Sequence, residues 1–260
     1  MKKLFAILLV AVMMFSIAAC TQITDDPNPS TSSTPSTPST PNNPPASTVM
    51  THAEFLAAEN DTAVEVECYV QATQSWWDNK IVIYAMDKSY GGYFAYNATC
   101  TKEVADQLVP GTKINIKGYK TSYKGMPEIA EGATLTVIEG DTFIAPASVL
   151  TDKLGTQDLV KEAGVYAAFQ GLTISKIEYR NGEPGDDIYV DFTLNDKTYS
   201  FCVERYLTDP ETDLYKMFVD EDLKVGDVVN VYGFVYWYDA DEDGESGDGI
   251  NTHITKITKG

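Results

Sequence analysis

The sequence predicts an all-β protein with short helices, organised as two tandem five-stranded barrels behind a disordered tether. Three observations carry this prediction. A short pattern occurs twice: Leu108-Val-Pro-Gly111-Thr-Lys-Ile114-Asn115-Ile116-Lys-Gly118 and Leu223-Lys-Val-Gly226-Asp-Val-Val229-Asn230-Val231-Tyr-Gly233. The spacing between the copies is that of one small β domain. The elements around each copy follow the same order, and a tract rich in Pro, Ser and Thr precedes both.

Each copy has a direct physical reading. The Leu ends a short helix and the first Gly turns the chain out of it. The alternating Ile or Val residues place one strand face in a core. The second Gly bends or bulges that strand, as a small barrel requires.

The chain opens with Met1-Lys2-Lys3 and an apolar run over 4–15, too short for an ordinary membrane span. Ser16-Ile17-Ala18-Ala19-Cys20 follows. The stretch resembles a bacterial lipoprotein signal. That resemblance implies a signal peptide over 1–19, lipidation of Cys20 (a palmitate-type diacyl anchor) and attachment to the membrane on its extracytoplasmic side. Residues 21–49 hold 7 of the 12 prolines and have no apolar period to bury. The linker over 20–49 is therefore expected to be extended, reaching at most on the order of 90 Å.

The first globular unit is expected over 50–146. Thr51-His-Ala-Glu54 has capping-box form and opens a short helix. Residues 63–73 alternate, with Val64, Val66, Cys68 and Val70 on one face of a long strand. Strands over 80–86 and 93–97 follow, separated by a turn at 87–92. A helix over 101–108 leads into the first repeat copy, and a fifth strand runs from 134 to 138.

The second unit, 147–260, repeats this order. A short helix over 156–162 ends at Gly164, and a long strand follows over 165–177. The segments 188–194 and 199–204 read as a hairpin around Asn195-Asp196. A helix over 211–218, a strand over 228–238 and a last strand over 253–257 complete the unit.

The order β-β-β-α-β-β resembles an OB-fold in both units. Over roughly 63–139, Gly111, Gly118, Tyr123-Lys124-Gly125 and Glu128-Ile129 also resemble the end of OB-fold domains in bacterial envelope proteins and some secreted nucleases. The resemblance implies a binding face flanked by the first-to-second and fourth-to-fifth loops. It would carry Trp76 and Trp77 from the first loop, Tyr84, Tyr93 and Tyr96 from the strands between, and Lys120, Tyr123 and Lys124 from the second. Adjacent Trp residues in a polar loop cannot both enter a core, so at least one is expected to be partly exposed. Exposed aromatic rings stack on sugar faces or bases. The opposing reading has one Trp capping the barrel and the other packing on the neighbouring unit. Lys113, Lys117, Lys120 and Lys124 form a short basic stripe, which also fits a protected strand edge.

In the second unit, Asp239-Ala-Asp241-Glu-Asp243-Gly244 begins like a calcium loop, with oxygens at alternate positions and a Gly for the turn. Asp239, Asp241, Asp243 and Asp248 are the candidate Ca²⁺ ligands. Ile250 stands where a bidentate Glu would close the pattern, and a solvated acidic hairpin tip is the competing reading.

The formal charge of −19 disfavours non-specific nucleic-acid binding, and it is uneven: residues 151–260 carry 23 acidic and 10 basic side chains. Beyond Cys20 there are three Cys residues and no Cys-x-x-Cys, so zinc is unsupported. Cys68 and Cys202 read as buried thiols, and a Cys68–Cys100 disulfide is compatible with an exported chain. No catalytic constellation is present: neither His52 nor His253 sits in a triad pattern, and hydrolase and phosphate-loop motifs are absent.

The expectation is thus a non-catalytic, lipid-anchored surface protein that binds an oligosaccharide, a wall polymer or a protein partner. The alternative is single-stranded nucleic acid binding by the first barrel. A degenerate nuclease and a Ca²⁺-stiffened spacer are the remaining classes.

Overall fold

The computed structural model describes residues 49–123, 125–238 and 249–260, with the side chains of 237, 238, 249 and 250 outside that description. The signal, Cys20, the tether, Lys124 and the acidic residues Asp239, Asp241, Asp243 and Asp248 lie outside the described residues.

The first barrel begins with helix α1 (His52–Ala57), opened by the expected capping box: Thr51 Oγ1 accepts from Glu54 N, and the Glu54 carboxylate accepts from Thr51 N. Strands β1 (Ala63–Thr73), β2 (Lys80–Met86) and β3 (Gly92–Thr99) form a meander. Helix α2 (Lys102–Ala105) leads to β4 (Lys113–Tyr123). The fifth strand arrives in two pieces, β5 (Met126–Ile129) and β6 (Thr134–Val137). Both pair parallel to β3 and antiparallel to β4, and β4 closes on β1. The ring order 1-2-3-5-4-1, with a helix between strands 3 and 4, is that of an OB-fold.

A link containing β7 (Ser148–Val149) and α3 (Gln157–Val160) leads to the second barrel, β8 (Tyr166–Tyr179), β9 (Ile188–Leu194) and β10 (Lys197–Val203). Asn195 and Asp196 both have positive φ, 52° and 62°, as the predicted tight hairpin demands. Helix α4 (Asp213–Val219) precedes β11 (Val228–Phe234). The strand expected over 228–238 is interrupted: β12 (Trp237–Tyr238) leaves the barrel and pairs with β13 (Gly249–Ile250). Strand β14 (His253–Lys259) then pairs with β11 and, in parallel, with β10, while β11 closes on β8. The ring order is the same.

The repeat does the same work in both copies. Gly111 and Gly226 have φ of 92° and 96°, a region open to Gly at little steric cost. Each donates its N–H to the first strand of its barrel, Gly111 to Val70 O (2.7 Å) and Gly226 to Ile174 O (2.8 Å). Leu108 and Leu223 are buried beside them. Gly233 sits at a register shift between β11 and β14. Gly118 instead stands where the partner of β4 changes from β6 to β5, and a Cβ there would lie 2.7 Å from that of Ala133.

The described residues of both barrels form one compact unit. Strand β2 explains why. Ile81, Ile83 and Ala85 face the first core. Val82 and Tyr84, on the opposite face, join Phe94 and Met126 in the core of the second barrel. Close backbone approach completes the seam: a Cβ on Gly92 would lie 2.3 Å from the Gly164 carbonyl carbon. The Cys68–Cys100 bridge is not formed; Cys68, Cys100 and Cys202 are free and buried.

Candidate functional site

The second barrel covers part of the outer β2–β3 face of the first. What remains open becomes one wall of a cleft of about 880 Å³ between the barrels. The first-to-second loop supplies its rim. Trp77 and Lys80 exchange backbone hydrogen bonds (3.0 and 2.9 Å) around Asp78 and Asn79, whose φ values of 48° and 58° make a tight hairpin tip. This tip separates the two Trp residues. Trp76 packs on the first core and donates Nε1–H to Cys100 O (3.1 Å). Trp77 projects into solvent and is 73% exposed.

The three candidate Tyr residues of the strands separate as well. Tyr93 faces the first core. Tyr84 points outward but is sealed under the second barrel. Tyr96 points outward and is 45% exposed, and Tyr123, at the end of β4, is 52% exposed. Both line the cleft.

Lys120 is not part of this surface. It is buried, and its Nζ donates to Leu56 O (2.7 Å) and Ala58 O (2.5 Å), tying down the end of α1. Burial lowers its pKa. It also lies within β4 rather than in the loop that follows. Elsewhere on the basic stripe, Lys113 pairs with Glu67 (2.9 Å) and Lys117 with Glu65 (3.2 Å). Inward alternation along β4 and acidic neighbours on β1 thus consume the described stripe.

The second barrel contributes residues that sequence reasoning missed. The chain contains two arginines, Arg180 and Arg205, and both line the cleft. Asp187 organises them: its Oδ2 accepts from Arg180 Nη1 (2.8 Å) and its Oδ1 from the Arg205 backbone N–H (3.0 Å). The Glu204 carboxylate accepts the N–H groups of Tyr206 (3.0 Å) and Leu207 (2.7 Å). Burial raises the Glu204 pKa, and those two backbone donors oppose the rise. Tyr206 is 53% exposed with the Arg205 guanidinium over its ring at 5.2 Å. The Ser75 N–H donates to Tyr206 O (2.9 Å), joining the rims of the two barrels.

At the floor, Tyr236 stacks on His253 with centroids 4.4 Å apart. The Tyr236 hydroxyl donates to Glu128 Oε1 (3.3 Å). Burial raises the Glu128 pKa to about 7 and lowers that of His253 to about 3. Burial also drives the Cys68 and Cys202 thiols far upward, which keeps them protonated at neutral pH.

No protein-family model and no curated protein sequence matches the chain. Among solved structures, a murine DNA-binding protein bound to double-stranded DNA is similar at 12% identity and a TM-score of 0.37, over 75% of this chain and 96% of that one. The Ifi202 HINa domain with 20 bp of double-stranded DNA is similar at 13% identity and a TM-score of 0.37, over 76% of this chain and 100% of that one. A replication protein A heterotrimer bound to single-stranded DNA aligns at 12% identity and a TM-score of 0.30, over 77% of this chain and 49% of that one. Both barrels have the ring order of an OB-fold in their own strand pairing.

Proposed function

We propose that this is a non-catalytic binding protein that holds an oligosaccharide or wall polymer in the cleft between its two barrels. One observation carries the reading: four solvent-exposed rings, Trp77, Tyr96, Tyr123 and Tyr206, line a single cleft. Exposed rings on a rigid rim stack on sugar faces, and hydrogen-bonding groups around them orient hydroxyls. The cleft supplies such groups in Asn97, Asn251 and Gln74. The Cys20 signal pattern supports anchorage at the bacterial envelope, where wall polymers are the abundant ligands.

The test is a tryptophan-fluorescence titration of the full chain with neutral cello- and chito-oligosaccharides. Saturable quenching that disappears in Trp77→Ala is expected. Unchanged affinity in that variant would remove the cleft as the site.

Single-stranded nucleic acid is a second reading, favoured by the two arginines beside stacking rings. Against it stand the charge of −19 and the engagement of the described stripe lysines. Oligo(dT) in the same titration decides: each neutralised phosphate contributes a slope of roughly −0.7 in log affinity against log salt.

A further inference from the structure

We propose that Arg205 is an oxyanion subsite of this cleft and that its ligand is an otherwise neutral oligosaccharide carrying one ring carboxylate of the uronate type. The inference rests on the reading of the cleft as a sugar-stacking site and adds the chemical class of the sugar.

Among the described residues three cations line the cleft: Lys80, Arg180 and Arg205. Lys80 pairs with Glu131 and Arg180 with Asp187. Among the described residues Arg205 forms no close ion pair, although the Glu204 carboxylate feels its charge. The nearby acids are held by other donors: the oxygens of Asp187 accept from Arg180 and the Arg205 main chain, and Glu204 Oε2 accepts from two main-chain N–H groups. Asp209 Oδ1 accepts from Glu211 N (2.8 Å).

Those same bonds hold the loop that presents the guanidinium. The Arg205 main chain is fixed by Asp187, the next residues by Glu204, and the Tyr206 carbonyl by Ser75 across the seam. The side chain lies on the Tyr206 ring, which orients the fork without engaging its donors. A planar guanidinium with free donors beside a stacking ring matches a carboxylate attached to a sugar ring. One unpaired cation serves one oxyanion. A strand bearing a phosphate at every residue would bring further unpaired charges into a chain with a net charge of −19. An otherwise neutral oligosaccharide with one carboxylate fits the cleft better than a polyanion.

The experiment titrates the full chain with a neutral xylo-oligosaccharide bearing one glucuronate, its methyl-esterified counterpart and oligo(dT), using wild type, Arg205→Gln, Arg205→Lys and Trp77→Ala. The inference expects the singly charged oligosaccharide to bind, with affinity falling roughly tenfold or more on esterification and in Arg205→Gln. Arg205→Lys should recover part of the loss, since it keeps the charge and not the fork. Circular dichroism and melting of each variant separate a lost site from a lost fold. Equal binding of the acid and the ester would overturn the oxyanion subsite and leave the sugar-stacking cleft standing. Tighter, steeply salt-dependent binding of oligo(dT) would overturn it in favour of nucleic acid. Binding of none of the three would overturn the subsite, and neutral oligosaccharides also failing to bind would remove the cleft reading beneath it.

Discussion

The Tyr84 hydroxyl lies 2.7 Å from His253 Nδ1, and this one contact crosses from the second strand of the first barrel to the fifth strand of the second. Gln74 Nε2–H donates to the same hydroxyl at 3.1 Å, and in the neutral tautomer protonated at Nε2 the Tyr84 O–H donates to His253 Nδ1. The low pKa of His253, caused by burial, agrees with that arrangement. Phe234 stacks on Tyr84 at 4.7 Å. A tyrosine that would line the ligand face of an isolated first barrel here welds two barrels together.

Tyr84→Phe keeps the packing and removes the hydroxyl. It leaves His253 Nδ1 and Gln74 Nε2–H without this partner, and stability should fall by about 1–3 kcal/mol. Urea unfolding followed by circular dichroism measures it. Tyr84→Ala should cost about 3–5 kcal/mol, as expected for a large ring removed from a core.

Glu128 and His253 predict opposite pH dependences. The folded pKa of Glu128 is raised to about 7 from an ordinary 4.5. Its contribution is fully present below the unfolded value and is lost as pH rises toward 7, a difference of about 3 kcal/mol. His253 is lowered to about 3 from 6.5, so its contribution is present above 6.5 and is lost as pH falls toward 3. The two slopes oppose each other between about 4.5 and 6.5, and a broad stability plateau is expected there. Glu128→Gln should turn the plateau between about pH 4.5 and 6.5 into a rise and remove the fall between about 6.5 and 7, leaving the limb below 4.5 in place. Urea midpoints across a pH series check both limbs.

Lys120 separates structure from binding. Its ammonium satisfies two carbonyls at the end of α1. Lys120→Ala should lower stability by about 1–3 kcal/mol and leave cleft affinity unchanged. A selective loss of affinity at unchanged stability would contradict its placement.

The adjacent tryptophans should behave in opposite ways. Trp77→Ala, at the exposed hairpin tip, should change stability by no more than about 0.5 kcal/mol. Trp76→Ala opens the end of the first core and removes the donor to Cys100 O. It should cost roughly 2–3 kcal/mol, less than the 3–5 kcal/mol of a fully buried ring. Thermal melts of the pair give the comparison.

The steric seam predicts one more result. A Cβ at Gly92 meets main-chain atoms of Gly164 and Val165 rather than a side chain that can rotate away. Gly92→Ala should therefore destabilise by about 1–3 kcal/mol or more. Denaturant midpoints report this directly.

Much of the architecture could be read from local pattern. The Gly111 and Gly226 turns, the alternating strand residues, the Thr51 capping box and the Asn195-Asp196 hairpin are short-range features whose chemistry is written within a few residues. The broken fifth strand and the departure of β12 were not legible, because both depend on partner strands distant in the chain. The site was legible only in part. Trp77, Tyr96 and Tyr123 were indicated by their loops and strands. Arg180, Arg205 and Tyr206 come from the other barrel, and no spacing within the sequence brings them beside Trp77.

By itself, the sequence determined two barrels of one topology, a repeat that builds the fourth strand of each, and a marked excess of negative charge. These follow from period, turn chemistry and composition, which act within a segment. Tertiary structure alone decided which face of each element meets water. It turned Lys120 inward, covered Tyr84 with the second barrel, and gathered the only two arginines of the chain around one cleft. Alternation along a strand fixes two faces but does not say what will cover the outer one. That was settled when the apolar outer face of β2 found the second barrel, burying Val82 and Tyr84 and leaving Tyr96 at the edge of the contact.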